Sequence, residues 1–86
     1  MNITKETLIK ELLEAVTIST TSADTKALQK AMNKVNKGLY DLVSISLVDD
    51  IYNKISIASA NLDFFITSVY QNNKTEIDEV LKEINN

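Results

Sequence analysis

From Thr4 to about residue 17 the apolar residues Leu8, Ile9, Leu12, Leu13 and Val16 recur at i, i+1, i+4, i+5 and i+8. That spacing gathers them on one face at 3.6 residues per turn and on no face at a period of two, so it predicts an amphipathic helix. Thr4 is placed to cap it, and Ile3 to pack back on Leu8 as a hydrophobic staple. The helix runs into "TISTTSAD", whose hydroxyl and β-branched side chains compete with helical hydrogen bonding, so a loop is expected at about residues 18–22.

A second stripe of Leu28, Ala31, Met32, Val35 and Leu39 stays in phase through Leu42 and Val43. It predicts a helix over about 22–43, with Thr21 as cap and Asp24 three residues on. Gly38 falls inside this span, and the unbroken phase favours a helix that carries it, at about 1 kcal/mol relative to alanine, over a glycine stop. In "LVSISLVDD" the apolar positions alternate at strand period, but no other segment offers a partner strand. A turn is expected there, with Ser46 as the next N-cap and Asp49 three residues behind it.

Over about residues 47–71, Ile51, Ile55, Ala58, Leu62, Phe65, Ile66 and Val69 follow the helical period and predict the longest helix, the one the others pack around. A second row, Ile57, Ala60 and Phe64, lies roughly 160–200° around from Ile55 and Leu62. "YQNNKTE" interrupts the pattern, Asn73 and Glu76 have capping-box spacing, and Ile77, Val80, Leu81 and Ile84 predict a last helix over about 74–84. The expected fold is all-α, a small four-helix bundle with a long central third helix, in a single domain over residues 1–86.

Composition adds limits. Eighty-six residues with 44% apolar and 24% charged side chains fold around one small core, worth only about 3–5 kcal/mol, which makes a homodimer or another protein partner a natural supplement. There is no cysteine for a disulfide or a thiolate. Charges at Lys5, Glu6, Lys10, Glu11 and Glu14 interrupt any signal-peptide core, and no run reaches the roughly 18 apolar residues of a membrane span, so a cytoplasmic location is expected. The richness in Ile, Lys and Asn reads as an AT-rich coding sequence of bacterial or phage type.

With neither His nor Cys, the usual triads, zinc sites and thiol chemistry are ruled out. The best carboxylate pair, Asp49 and Asp50, points about 100° apart on a helix and is expected to complement the dipole of its first turn. One isolated glycine makes no phosphate-binding loop. No catalytic, metal or cofactor-binding residue is assigned, no cofactor is expected, and the chain is not expected to be an enzyme.

The net charge of −3 is unevenly spread, because residues 24–38 hold four lysines against Asp24. Lys26, Lys30, Lys34 and Lys37 share one helix face with no acid at the i+4 positions within the row. As a contact surface the row suits an acidic protein. Nucleic acid is disfavoured by the acidic whole, by the absence of arginine and by the lack of interleaved aromatics. An anionic membrane would need bulkier residues opposite the lysines than Ala, Leu, Met and Val. The plainer account is a solvated face. The row of Ile57, Ala60 and Phe64 is read first as internal, since a central helix touches neighbours on several sides; as a contact surface for a second copy or a partner it ranks ahead of the lysines, with Phe64 as its anchor, since aromatic anchors dominate binding hot spots. Tyr40, Tyr52 and Tyr70 are expected at the rim, rings packed and hydroxyls wet.

In size and helix content the chain resembles the small helical bacteriocin immunity proteins and short phage-encoded inhibitors; the resemblance is one of format, and no motif carries it. The expected function is therefore non-catalytic protein binding of inhibitor, immunity or chaperone type. The alternatives are a small nucleic-acid-associated regulator using the lysine row and a self-assembling structural protein.

Overall fold

Thr4 caps the first helix as its sequence suggests: the Thr7 amide donates to Thr4 Oγ1 at 3.2 Å and the Leu8 amide to the Thr4 carbonyl at 2.9 Å. From there the computed structural model, which describes residues 2–18, 25–35, 37–57 and 61–86, is mostly helical over the described residues. The described elements are α1 (Lys5–Ile18), α2 (Thr25–Val35), α3 (Lys37–Tyr40), α4 (Ile45–Ile57), α5 (Leu62–Asn72) and α6 (Lys74–Asn85), with no strand among the described residues. The all-α class holds, but the division into helices differs from the one read off the sequence.

The organising helix is α1. It packs on α2, α4, α5 and α6 alike, whereas the sequence assigned that place to the third and longest helix. The reason lies in the width of its apolar arc. Ala15, Leu8, Leu12, Val16 and Ile9 are all buried, and at 100° per residue they and half-buried Leu13 sweep about 160° of the helix surface. A stripe that wide can serve neighbours on several sides. Every other helix contributes to the same cluster: Leu28 and Met32 from α2, Leu39 from α3, Leu47, Val48 and Ile51 from α4, Phe65, Ile66 and Val69 from α5, and Ile77 and Val80 from α6.

The expected single helix over 47–71 is two helices. Asn61 stands in extended backbone, φ −93° and ψ 97°, and its side-chain oxygen accepts from the Phe64 amide at 3.0 Å. The apolar period runs through this point without a slip, so periodicity alone cannot reveal the break. An asparagine that can satisfy the first amides of a new helix offers the backbone an alternative to continuing the old one. Ala58 and Ala60 lie outside the described residues.

The expected helix over 22–43 is also shorter. The described helix, α2 to Val35 and α3 from Lys37 with residue 36 outside the described residues, stops at Tyr40 and not at Val43; α3 holds Gly38 in ordinary helical backbone with no positive φ, and the chain turns at Asp41 and Leu42, where the Leu42 amide bonds to the Leu39 carbonyl at 3.0 Å. Gly38 is therefore not a left-handed stop. Thr21 and Asp24, the expected cap pair, lie outside the described residues.

The cap of α4 is Ser44 and not Ser46. Ser44 Oγ accepts from the Leu47 amide at 3.1 Å and donates to Glu76 Oε2 at 2.9 Å, so one hydroxyl starts α4 and ties it to α6. Because α4 begins at Ile45, Asp49 and Asp50 sit beyond its first turn and do not serve its dipole. Asp50, half-buried, instead accepts from Asn73 Nδ2 at 2.6 Å, and the same amide group reaches the Val69 carbonyl at 3.1 Å. Asn73 thereby bridges α4 to the α5–α6 joint and makes no side-chain cap to α6, which corrects the capping-box expectation. We expect Ser44→Ala to lower stability by about 1–2 kcal/mol, since it removes both the cap and the tie to a carboxylate. Urea denaturation followed by circular dichroism measures this, and a change within about 0.3 kcal/mol would show that neither bond matters.

A second polar tie joins residues distant in the chain. The Asn85 side chain accepts from the Ile3 amide at 2.8 Å and donates to the Ile3 carbonyl at 3.0 Å, the two bonds one strand residue would make with another. This holds half-buried Ile3 against the core. Asn85→Ala should cost about 1 kcal/mol, read as a fall of roughly 4–8 °C in the thermal midpoint.

Candidate protein-contact surface

Of the large apolar side chains among the described residues, five stand out in solvent: Ile57 is 80% exposed, Phe64 69%, Ile45 49%, Leu42 39% and Leu62 38%. Three of these flank one joint, Ile57 at the last residue of α4 and Leu62 and Phe64 in the first turn of α5. The sequence named Ile57, Ala60 and Phe64 as one row on one helix. The structure separates Ile57 and Phe64 onto two helices on either side of a break, and Ala60 lies outside the described residues. Both named side chains are nonetheless at the surface, and Leu62, which the stripe placed in the core, joins them there.

The contrast within α5 fixes the point. Phe64 projects into solvent, while Phe65, one residue on, is 4% exposed beside buried Ile66 and Val69. The Asn61 cap sets this register by anchoring the first turn through the Phe64 amide, and Asp63 places a carboxylate at the positive end of the helix. Leu62 and Phe64 thus make an apolar knob on the start of α5, edged by the exposed polar residues Asn61, Asp63 and Thr67, and with Ile57 at the end of α4 they are called the shoulder.

The lysine row sits elsewhere. Lys26 and Lys30 on α2 and Lys37 at the head of α3 are exposed; the Lys34 side chain lies outside the described residues. Row and shoulder are two separate features of the surface in sequence and in helix.

Sequence reasoning missed a third feature. A furrow of about 570 Å³ runs between the α3–α4 turn and α6, with Leu42, Val43 and Val80 among its lining and carboxylates from Asp41, Glu76, Glu79 and Glu83 around it, against the single ammonium of Lys82. Glu76, Glu79 and Glu83 fall within about 60° of one face of α6. Their i, i+3, i+7 spacing was visible, but the partner side of the furrow comes from a turn more than thirty residues earlier in the chain.

Tyr40 and Tyr70 are better partnered than rim residues with wet hydroxyls would be. Tyr40 donates to Gln29 Oε1 at 3.4 Å and Tyr70 to Asp78 Oδ1 at 3.1 Å, with Lys5 Nζ 4.1 Å from the Tyr70 ring centroid. Partial burial, then the hydrogen bond to Asp78 and the charges of Asp78 and Glu6, push the Tyr70 phenol above its ordinary range. This cluster ties α1, α5 and α6 together.

Among the described residues no group of three or more potential metal ligands comes together, and no helix is long and apolar enough to cross a membrane. No family model, no curated protein and no solved structure matches this chain. Function is therefore argued from its own residues.

Proposed function

We propose that the chain is a non-catalytic, cytoplasmic protein-binding domain of inhibitor, immunity or chaperone type, which engages its partner through the shoulder of Ile57, Leu62 and Phe64. One observation carries the reading: a phenylalanine 69% exposed stands next to one that is 4% exposed, with Ile57 and Leu62 also exposed on either side of the same joint. Exposing an aromatic ring of this size costs roughly 1.5–3 kcal/mol relative to burying it, a large share of the few kcal/mol such a small core provides. A binding role explains the retention of that cost, because aromatic side chains are the commonest anchors of protein interfaces. The absence of His and Cys from the whole sequence supports the non-catalytic part of the reading.

The test is paired affinity capture from the cells that make the protein, with wild type, Ile57→Glu, Phe64→Glu and, as a control on exposed α1 surface, Lys10→Glu. A species retained by wild type and Lys10→Glu and lost with both shoulder variants supports the assignment. Retention by all four sinks it.

A further inference from the structure

The furrow between the α3–α4 turn and α6 combines exposed apolar surface with charge of one sign. Four carboxylates line it, from Asp41, Glu76, Glu79 and Glu83, against the one ammonium of Lys82. Glu76 is held in place by the Ser44 hydroxyl at 2.9 Å, while the exposed side chains of Asp41, Glu79 and Glu83 make no hydrogen bond or ion pair among the described residues. The same lining includes Leu42, 39% exposed, together with half-buried Val43 and buried Val80.

We propose that this furrow is the docking groove for a cationic helical segment of another protein, one that sets lysine or arginine along the α6 wall and an apolar side chain on Leu42. The layout of the charges selects this occupant. Glu76, Glu79 and Glu83 are spread over about 10.5 Å of α6 at 1.5 Å per residue, and cations at i, i+3 and i+7 of a second helix repeat the same steps. A single metal ion does not match charges so dispersed, and no group of three or more potential metal ligands comes together among the described residues. A polyamine would follow the carboxylates but leave Leu42 in water, and nucleic acid or an anionic membrane would meet like charge. A cationic amphipathic helix answers both parts of the groove, since lysine or arginine stems lie along apolar surface while their heads reach the carboxylates. The Ser44 tie fixes one of those carboxylates before binding, which lowers the ordering cost. Ile57, Leu62 and Phe64 do not line the furrow, so the proposal does not depend on the role proposed for the shoulder.

The test titrates the full chain by calorimetry with two synthetic peptides in about 50 mM salt, where the screening length is roughly 14 Å. One is an alanine-based helix with lysines at i, i+3 and i+7 and leucine at i+4; the other has the same composition with its lysines on different faces. Wild type should bind the first with a dissociation constant on the order of 10–100 μM and the second at least about tenfold more weakly. Glu79→Gln/Glu83→Gln should weaken the first complex at least about tenfold, and Leu42→Ser about threefold to tenfold. Glu14→Gln/Asp49→Asn removes the same charge from exposed positions outside the furrow and should bind as wild type does. Circular dichroism confirms that each variant is folded. No binding by wild type, equal binding of the two peptides, or equal losses in the two charge variants would each overturn the proposal. Spermine bound as tightly as the first peptide would give the groove to a small polycation, and self-association of the chain that Glu79→Gln/Glu83→Gln abolishes, read by sedimentation velocity, would give it to a second copy. Either result overturns the proposal as well.

Discussion

Phe65→Ala is expected to leave the protein largely unfolded at 25 °C, while Phe64→Ala, one residue away, should change its stability by less than about 0.5 kcal/mol. Phe65 is 4% exposed in the cluster shared with Ile66 and Val69, and truncating a buried phenylalanine costs about 3–5 kcal/mol through lost burial and the cavity left behind. A single core in a chain of this size supplies about the same amount, so the loss approaches the whole of the stability. Phe64 has little burial to lose. Urea denaturation of the two variants beside wild type reads the difference directly. Equal losses from both would mean that the register of α5 set by Asn61 is wrong by a residue.

This pair also marks the limit of what the sequence shows. Helices α1 and α6 were legible almost to the residue, because each is a run with one apolar stripe and a clear start. The break between α4 and α5 was not, since Ile51, Ile55, Leu62, Phe65, Ile66 and Val69 keep the helical phase across it and the only local sign is Asn61. The central place of α1 was hidden for a related reason: length suggests centrality, whereas packing follows the breadth of the apolar arc. The ties Ser44–Glu76 and Asp50–Asn73 join residues 32 and 23 positions apart, and no local pattern announces such bonds. Exposure of Ile57 and Phe64 could be suspected because they fall off the main stripe. The acidic furrow could not, because half of it belongs to a turn and half to a helix much later in the chain.

The second large effect concerns binding. Once the partner of the shoulder has been purified, Phe64→Glu should weaken the complex by about 30-fold to 1,000-fold, the equivalent of roughly 2–4 kcal/mol for an aromatic anchor at the centre of an interface. The loss should lie mainly in faster dissociation, since substitutions within one interface change off-rates more than on-rates. Ile57→Glu should weaken binding less if Phe64 is the anchor. Surface plasmon resonance separates the rates, and the thermal midpoint of Phe64→Glu alone should stay near that of wild type because the ring is already in solvent. A drop in affinity accompanied by an equal drop in stability would point to misfolding in place of a lost contact.

The most direct measurement of the central claim puts a photoreactive phenylalanine analogue at position 64, and separately at the exposed α1 position 10, in the cell that makes the protein. Irradiation should give a discrete covalent adduct with a different protein from position 64 and none of that mass from position 10. Adducts from position 64 that contain only the chain itself, or the same adducts from both positions, would contradict the assignment of the Ile57–Phe64 shoulder as the surface that meets a partner.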